Sequence, residues 1–415
     1  MRPGWLRLSL LLLLAAGVVR ADVASDQAGA ILVFPKIMVD TSNLAGRGRL
    51  DTLIRVSNTS NQPISMRCFY ADATPVCSTG RGSCLWPNLD CTGTCGVPQC
   101  QELDFVVNIT ARQPVAWLAS QGGKSCSQSP PDVPCFPLTP DWAFAPNGQT
   151  NTGSLIPPVG QDPFIGEMKC IAVDRNDVPV ERNDLKGEVE IVRVDVPGGG
   201  PEVDVESYNA IGIPAISGTN NGDNTLRVGG NLCSGGPNAQ KVCAGAADCP
   251  GGTCVSAGEY AGCPNVLILD HFFHGASDPV LANLGQGGVP VTTVLTLIPC
   301  SEDFLNQALH PTTVQFLVFN EFEQRLSTSR SLTCFDERPI WSIINTRDED
   351  RSIFSAAVSG TLTGQTRILG VPDKDTGHGH GLLGVAEEFR AGGGAAAFNL
   401  HFGGSRPQGD LIYLP

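Results

Sequence analysis

Cysteine placement constrains this chain more than any other feature of its sequence. The 415 residues include 16 Cys, with five inside Cys77–Cys100 and four inside Cys233–Cys254. The first cluster has no periodic apolar pattern, no nearby His and a spacing too loose for a zinc site. Behind an export signal, clusters of this kind are typical of loops held by disulfides. We therefore predict disulfide-rich insertions in both places.

The first 21 residues have the anatomy of a signal peptide. Arg2 and Arg7 precede the apolar run Leu10–Val19, and the ending Val19-Arg20-Ala21 predicts cleavage before Asp22. The run is shorter than the roughly 20 residues that a membrane helix needs, and no later run is long and apolar enough. We therefore expect a secreted, periplasmic or cell-surface protein with no membrane span after cleavage.

Composition narrows the fold and the partners. The 48 Gly and 31 Pro disfavour long helices and favour short strands joined by turns. A hydrophobic content of 41% is sufficient for packed cores, and the chain length favours two or three of them. The net charge of −14 opposes binding to a phosphate backbone, so no nucleic-acid partner is expected.

A weak internal repeat suggests two related domains. Val314–Phe335 reads as strand, turn and strand, and Leu53–Phe69 shares its Val-x-Asn and Ser-x-x-Cys-Phe letters. We interpret both as core hairpins of β-sandwich domains. The best helix candidate is Ser301–Leu309, because Ser301 can cap it and two acidic residues follow.

These patterns together predict an all-β protein with two antiparallel, Ig-like β-sandwich domains and disulfide-rich loop insertions. The predicted parts are the signal peptide 1–21, a first sandwich at 22–216 with a Cys-rich insertion at 77–135, a Cys-rich linker at 217–264 and a second sandwich at 265–415. Six cysteines are singled out as disulfide-bonded: Cys233, Cys243, Cys249, Cys254, Cys300 and Cys334. We expect a Cys300–Cys334 bridge, and at least one bridge from the first cluster to a cysteine on a core strand.

One loop offers a candidate metal site. Asp373, Asp375, His378 and His380 lie within eight residues, and two His at this spacing share a face if the chain is extended. Zn²⁺ would prefer the imidazoles and Ca²⁺ the carboxylates. The alternative is a Gly-rich turn with solvated side chains, and no other cofactor is indicated.

A second histidine pair follows the apolar run in Asn265–Phe273. On a helix His271 and His274 would share a face, but the run favours a strand, where they point to opposite faces. We interpret them as part of an aromatic cluster at a strand end.

Four strings in the chain carry a resemblance. KGEVEIV at Lys186–Val192, YNAIGI at Tyr208–Ile213, NVLILDHFF at Asn265–Phe273 and FLVFNEFEQR at Phe316–Arg325 resemble a group of exported bacterial β-rich proteins with short Cys-rich insertions. No activity is attached to that group, so the resemblance implies a fold and a compartment and no catalytic residues.

The favoured function is that of a secreted, non-catalytic structural or binding protein of the cell exterior, adhesion-like, with an unknown extracellular ligand held by loops at the sandwich ends. No nucleophile elbow, zinc-protease motif, phosphate loop or dinucleotide fingerprint occurs in the chain. The alternative is a metal-dependent exported hydrolase that uses His378 and His380, with His271 or His274 in support. A carbohydrate-binding module is a third possibility.

Overall fold

The computed structural model describes residues 23–87, 91–123, 155–195, 202–216, 225–371 and 379–415, apart from short gaps at 230, 234, 239–242, 244–245, 257, 310, 345–347, 392–393 and 407–408. These residues form 26 β-strands and a few short helices. No helix within them has the length and apolarity needed to cross a membrane. The predicted signal peptide and the loop between Cys126 and Cys135 lie outside the described residues.

The N-terminal part of the chain forms two antiparallel sheets. Its strands are β1 (Ile31–Val39), β2 (Arg49–Asn58), β3 (Ile64–Asp72), β4 (Cys77–Ser78), β5 (Thr94–Cys95), β6 (Gln101–Ile109), β7 (Pro114–Leu118), β8 (Phe164–Val173), β9 (Leu185–Asp195), β10 (Glu202–Asn209) and β11 (Ile211–Ile213). Sheet 1 has the order β11-β1-β8-β3-β6 and sheet 2 the order β10-β9-β2-β7. We call these nine strands the first unit.

The middle of the chain adds small strands: β12 (Thr225–Val228), β13 (Asn231–Cys233), β14 (Cys254–Ser256) and β15 (Glu259–Ala261). The strands that follow are β16 (Val266–Phe272), β17 (Val291–Pro299), β18 (Glu302–Asp303), β19 (Thr312–Asn320), β20 (Arg325–Leu332), β21 (Asp336–Pro339), β22 (Thr363–Val371), β23 (Leu382–Arg390), β24 (Ala395–Asn399), β25 (His401–Gly403) and β26 (Asp410–Tyr413). Helices are α1 (Pro279–Asn283), α2 (Ala356–Ser359) and 3-10 turns at Ala246–Asp248, Ile340–Ser342 and Glu349–Arg351.

Nine of the later strands repeat the arrangement of the first unit. Sheet 3 has the order β25-β16-β22-β19-β20 and sheet 4 the order β24-β23-β17-β21. Reading each unit in chain order, every strand of this second unit takes the sheet position of its counterpart in the first. The predicted all-β, antiparallel architecture with disulfides is confirmed, while its Ig-like detail and the domain boundaries stay predictions.

A bridging sheet connects the two units. Its order is β15-β12-β26-β18, so the C-terminal strand lies between β12, from the middle of the chain, and β18, from the connection between β17 and β19 of the second unit. β26 pairs in parallel with both neighbours, unlike the antiparallel ladders of the units. The four Cys of the middle cluster form the local bridges Cys233–Cys249 and Cys243–Cys254 beside it.

The two units share a buried apolar surface. β1 and β8 are buried along their full length, because β1 contacts β2 and β9 of its own unit and also β17 and β23 of the second unit. Near-continuous apolar runs such as Ile31–Val39 are typical of strands covered on both faces. Phe69 stacks on Phe304 across this interface at a centroid distance of 4.3 Å.

Two buried lysines also cross the interface. Lys36 of β1 pairs with Glu387 and lies 3.4 Å from Glu337 Oε1, both in the second unit. Lys169 of β8 lies 2.8 Å from Glu167 Oε1 and 2.7 Å from Glu302 Oε2. A buried charge is tolerated only with an opposite charge at close range, so these pairs fix the relative position of the units.

Two sequence predictions are wrong in the structure. Ser301–Leu309 is not a helix, because Glu302 and Asp303 form β18 and the Glu302 carboxylate binds Lys169 across the interface. The Cys300–Cys334 bridge is replaced by Cys263–Cys300 and Cys100–Cys334. The expected link from the first cluster to a cysteine beside a core strand is present as Cys100–Cys334.

The repeat is real in the fold but differs from the one read in the sequence. β19 and β20 form the predicted hairpin, whereas Leu53–Phe69 spans β2 and β3, which belong to different sheets. By strand order the counterpart of the β19–β20 pair is β3–β6. The shared Val-x-Asn letters reflect local turn chemistry, since Asn58 and Asn320 each accept backbone N–H groups from the following turn.

Candidate functional site

The Cys-rich segment Cys77–Cys100 lies beside the second unit. It contains one short hairpin, β4–β5, and disulfides Cys77–Cys91 and Cys84–Cys95 hold its shape. A segment without its own apolar core depends on such links for a fixed structure. The Cys100–Cys334 disulfide then ties its end to the chain just after β20.

A cleft of about 570 Å³ opens between this segment and the second unit. One wall consists of residues from the Cys-rich segment, including Leu85, Trp86 and Val97, and the other of residues from β20, β21 and their connection. Its volume falls within the range of roughly 300–1,000 Å³ common for ligand sites. We call it the Trp86–Arg338 cleft.

The aromatic wall is held in place by both units. The Trp86 ring lies 5.0 Å from the ring of Phe389 in the second unit. The Arg47 guanidinium also lies 5.0 Å from the Trp86 ring and donates from Nε to the Trp86 carbonyl. Cation–π and aromatic contacts of this kind fix a side chain without covering it completely. The Trp86 side chain is therefore held in one orientation and stays partly exposed.

The opposite wall carries two guanidinium groups for one carboxylate. Arg338 donates to Asp336 from Nε at 2.9 Å and from Nη2 at 2.5 Å. Arg330 Nε is buried and lies 3.0 Å from Asp336 Oδ2, so the two groups form an ion pair. Burial lowers the pKa of Arg330, and the nearby charge of Arg338 acts in the same direction. The wall therefore presents two guanidinium groups around one carboxylate.

Charge behind the wall does not cancel this excess. Glu337 lines the cleft, but Arg47 Nη2 binds its Oε1 at 2.7 Å and Lys36 approaches it from the interface. Four cationic side chains thus surround three carboxylates, namely Lys36, Arg47, Arg330 and Arg338 around Asp336, Glu337 and Glu387. In a chain with a net charge of −14, the cleft is therefore lined by as many cationic as anionic side chains, two of each, and Arg47 adds a further cation behind it.

Most of the predicted metal loop lies outside the described residues. This applies to Asp373, Asp375 and His378, so the metal site stays a prediction. His380 is described and half-buried, and partial burial lowers its pKa. The hydrolase alternative therefore gains no support from the residues that the structure places.

His271 and His274 have other roles. His271 belongs to β16, as predicted, and its ring nitrogens lie 2.8 Å from Thr366 Oγ1 and 2.9 Å from the Phe272 carbonyl. Burial lowers its pKa to about 4, so the ring is neutral at pH 7. His274 Nε2 binds Glu349 at 2.6 Å. With both nitrogens of His271 engaged, it has no free position for a metal ion.

Other groups with catalytic potential are enclosed or oxidised. Burial raises the pKa of Glu206 to about 9, with a further contribution from the charge of Glu387, and burial raises that of Glu167 well above its usual value. Both carboxyls lie inside the interface between the units, closed to a substrate. Within the described residues, every cluster of three metal-capable side chains includes at least two disulfide cysteines. Thiolate ligands are therefore not available in these clusters.

The sequence did not single out the residues that line the cleft. The sequence predicts recognition by loops at the sandwich ends, and Arg330 lies inside the hairpin Val314–Phe335 of the internal repeat. Leu85-Trp86 is the only apolar pair between Cys77 and Cys100, a signal that could have marked the wall. No local sequence pattern marks Arg338, because its place in the cleft depends on the Cys-rich segment, which is distant in sequence.

Comparison with protein-family models, with curated proteins and with solved structures finds no match for the chain. Function is therefore inferred from the geometry of this chain alone.

Proposed function

We propose that the chain is a non-catalytic binding protein of the cell exterior, adhesion-like in its role, and that it holds its ligand in the Trp86–Arg338 cleft. The observation that carries the proposal is the composition of the two walls. One presents Leu85 and Trp86, and the other presents Arg330 and Arg338 with more guanidinium donors than carboxylate acceptors. Sites that combine apolar surface with a few polar groups are typical of ligand binding.

The chemistry of the walls selects a class of ligand. An apolar or aromatic group packs on Trp86, while a carboxylate accepts hydrogen bonds from Arg330 and Arg338. The seven disulfides between described residues accord with an oxidising, extracellular compartment, where such a rigid cleft persists. Rigid walls reduce the entropy lost on binding.

The test uses 3-phenylpropanoate and its neutral amide, 3-phenylpropanamide, with the oxidised full chain. We expect the acid to bind saturably and to shift the indole signal of Trp86, which the Trp86→Phe variant identifies among the five Trp. The Arg338→Gln variant loses charge-assisted hydrogen bonds of about 1.5–3 kcal/mol, so binding weakens roughly tenfold to a hundredfold.

Arg325→Gln is the matched control, because Arg325 is exposed at the opposite end of β20. Equal binding of the acid and the amide, or equal losses in the two Arg variants, would show that the cleft does not recognise a carboxylate.

A further inference from the structure

We infer that the ligand of the Trp86–Arg338 cleft is an extended peptide that adds as a strand to the free edge of β20 and presents its C-terminal carboxylate to Arg330 and Arg338. This inference rests on the proposed function and names its ligand. Four features of the structure support it. They are the unpaired edge of β20, the contact of the cleft with that edge, the Cys100–Cys334 disulfide beside it and the guanidinium groups of the wall.

β20 is an edge strand with a regular ladder on one side only. It pairs with β19 over eight successive residue pairs, from Arg325 to Leu332, without a bulge. In the described part of the chain no strand pairs with its other side. The outward N–H and C=O groups of such an edge can accept an added strand, since no Pro or bulge interrupts it.

The cleft reaches this edge and not merely one face of the sheet. It is lined by Arg330 and also by Ser331 and Thr333. Successive side chains of a strand point to opposite faces, so a cleft that touches both Arg330 and Ser331 must lie against the edge between them. A chain placed there meets the backbone of β20 and the side chains of the wall together.

The structure at the end of β20 also favours a bound peptide whose C-terminus stops there. The Cys100–Cys334 disulfide joins the two walls one residue after Thr333 and two residues after Pro98, both of which line the cleft. A peptide that follows β20 toward Thr333 runs against this covalent link. A terminal carboxylate can stop beside Arg330 and Arg338, whereas a continuing chain would have to leave the edge.

The charge distribution distinguishes this edge from its counterpart. In the first unit the equivalent edge strand is β6, whose sequence includes Glu102 and Asp104. Carboxylates on an edge repel an anionic chain end, while β20 presents Arg, Ser and Thr. The β6 edge is therefore an internal control of the same fold position and the opposite charge.

The test compares acetylated Thr-Val-Thr-Ser-Phe with a free C-terminus and the same peptide with a C-terminal amide, both added to the oxidised full chain. We expect the free acid to bind at least tenfold more tightly and to slow hydrogen exchange of β20 amides while β6 amides exchange as before. Two N-methylated forms of the acid, blocked at alternate amides, test strand addition without altering the protein. Only one of them should lose binding, because alternate amides of a strand face the partner.

The outcomes separate this inference from the proposed function. If both N-methylated peptides bind like the parent, or β20 exchange is unchanged, strand addition is wrong, and binding of 3-phenylpropanoate keeps the cleft as a carboxylate site. If the amide binds as well as the acid, terminal recognition is wrong. If neither the peptide nor 3-phenylpropanoate binds, both proposals fail.

Discussion

The two nine-stranded units share one strand order but differ in how the strands are joined. Between β19 and β20 the second unit uses a tight turn of residues 321–324, whereas the equivalent β3–β6 connection of the first unit contains the whole Cys-rich segment. The two units have the same strand order in their sheets, and they differ in the length and composition of the loops that join the strands. The cleft follows from this difference, because the long β3–β6 connection of the first unit lies beside the β20 edge of the second unit.

The largest expected effect comes from cutting the covalent link between the units. Replacing Cys100 and Cys334 by Ser opens a loop of 234 residues, and the loop-entropy relation gives a loss of about 5 kcal/mol. Replacing Cys84 and Cys95 opens a loop of 11 residues and costs about 3 kcal/mol on the same relation. Denaturant unfolding of the oxidised proteins compares them. A larger loss from the local pair would contradict the role of Cys100–Cys334 in holding the units.

The opening strand of each unit buries one polar side chain, and the two differ in charge. Lys36 of β1 forms ion pairs with Glu337 and Glu387 of the other unit. Lys36→Met leaves Glu387 without its ion-pair partner, while Glu337 keeps its ion pair with Arg47, so we expect a loss of about 3–5 kcal/mol in unfolding free energy. Lys186→Met, at an exposed site on β9, is the control and should change stability by under about 0.5 kcal/mol. Similar values for both variants would mean that the pair contributes little.

The counterpart in β16 is His271, which is neutral and bonded within its own unit. Its pKa of about 4 lies below the usual histidine pKa of about 6.5, so the unfolded chain takes up a proton first as pH falls. From pH 6.5 to 4 this His alone should cost the wild type about 3 kcal/mol, a loss that His271→Leu lacks. The measurement is unfolding free energy against pH, with His401→Leu, an exposed His of the same sheet, as control. Parallel pH profiles for wild type and His271→Leu would contradict this reading.

The smallest effect concerns the acidic edge of the first unit. Burial raises the pKa of Glu102 to about 7, with the charge of Asp104 adding to it. Ionisation above pH 7 then destabilises the folded state, and Glu102→Gln removes that cost. Because the group is half exposed, we expect a gain of under about 1 kcal/mol at pH 9 and none at pH 4. A gain at pH 4 equal to that at pH 9 would exclude ionisation as the cause.

Sequence patterns predicted the local structure well and the long-range structure poorly. Apolar runs mark strands such as β1, β16 and β17, and the register shift between Phe34 and Ile37 in β1 includes Pro35, a residue typical of bulges and edge positions. Helix signals failed at Ser301–Leu309, because Glu302 has a partner 133 residues away that no local pattern reveals. The same limit applies to the cleft, whose two walls are far apart in sequence.

The Cys100–Cys334 disulfide also affects what a protease can do to the chain. One backbone cut anywhere between these two cysteines, a span of 234 residues, leaves two pieces that remain covalently joined. The disulfide lies beside the cleft, so the two walls that contain Trp86 and Arg338 stay together after the cut. In an oxidising compartment that contains proteases, a nicked molecule therefore keeps both walls of the cleft together until the disulfide is reduced.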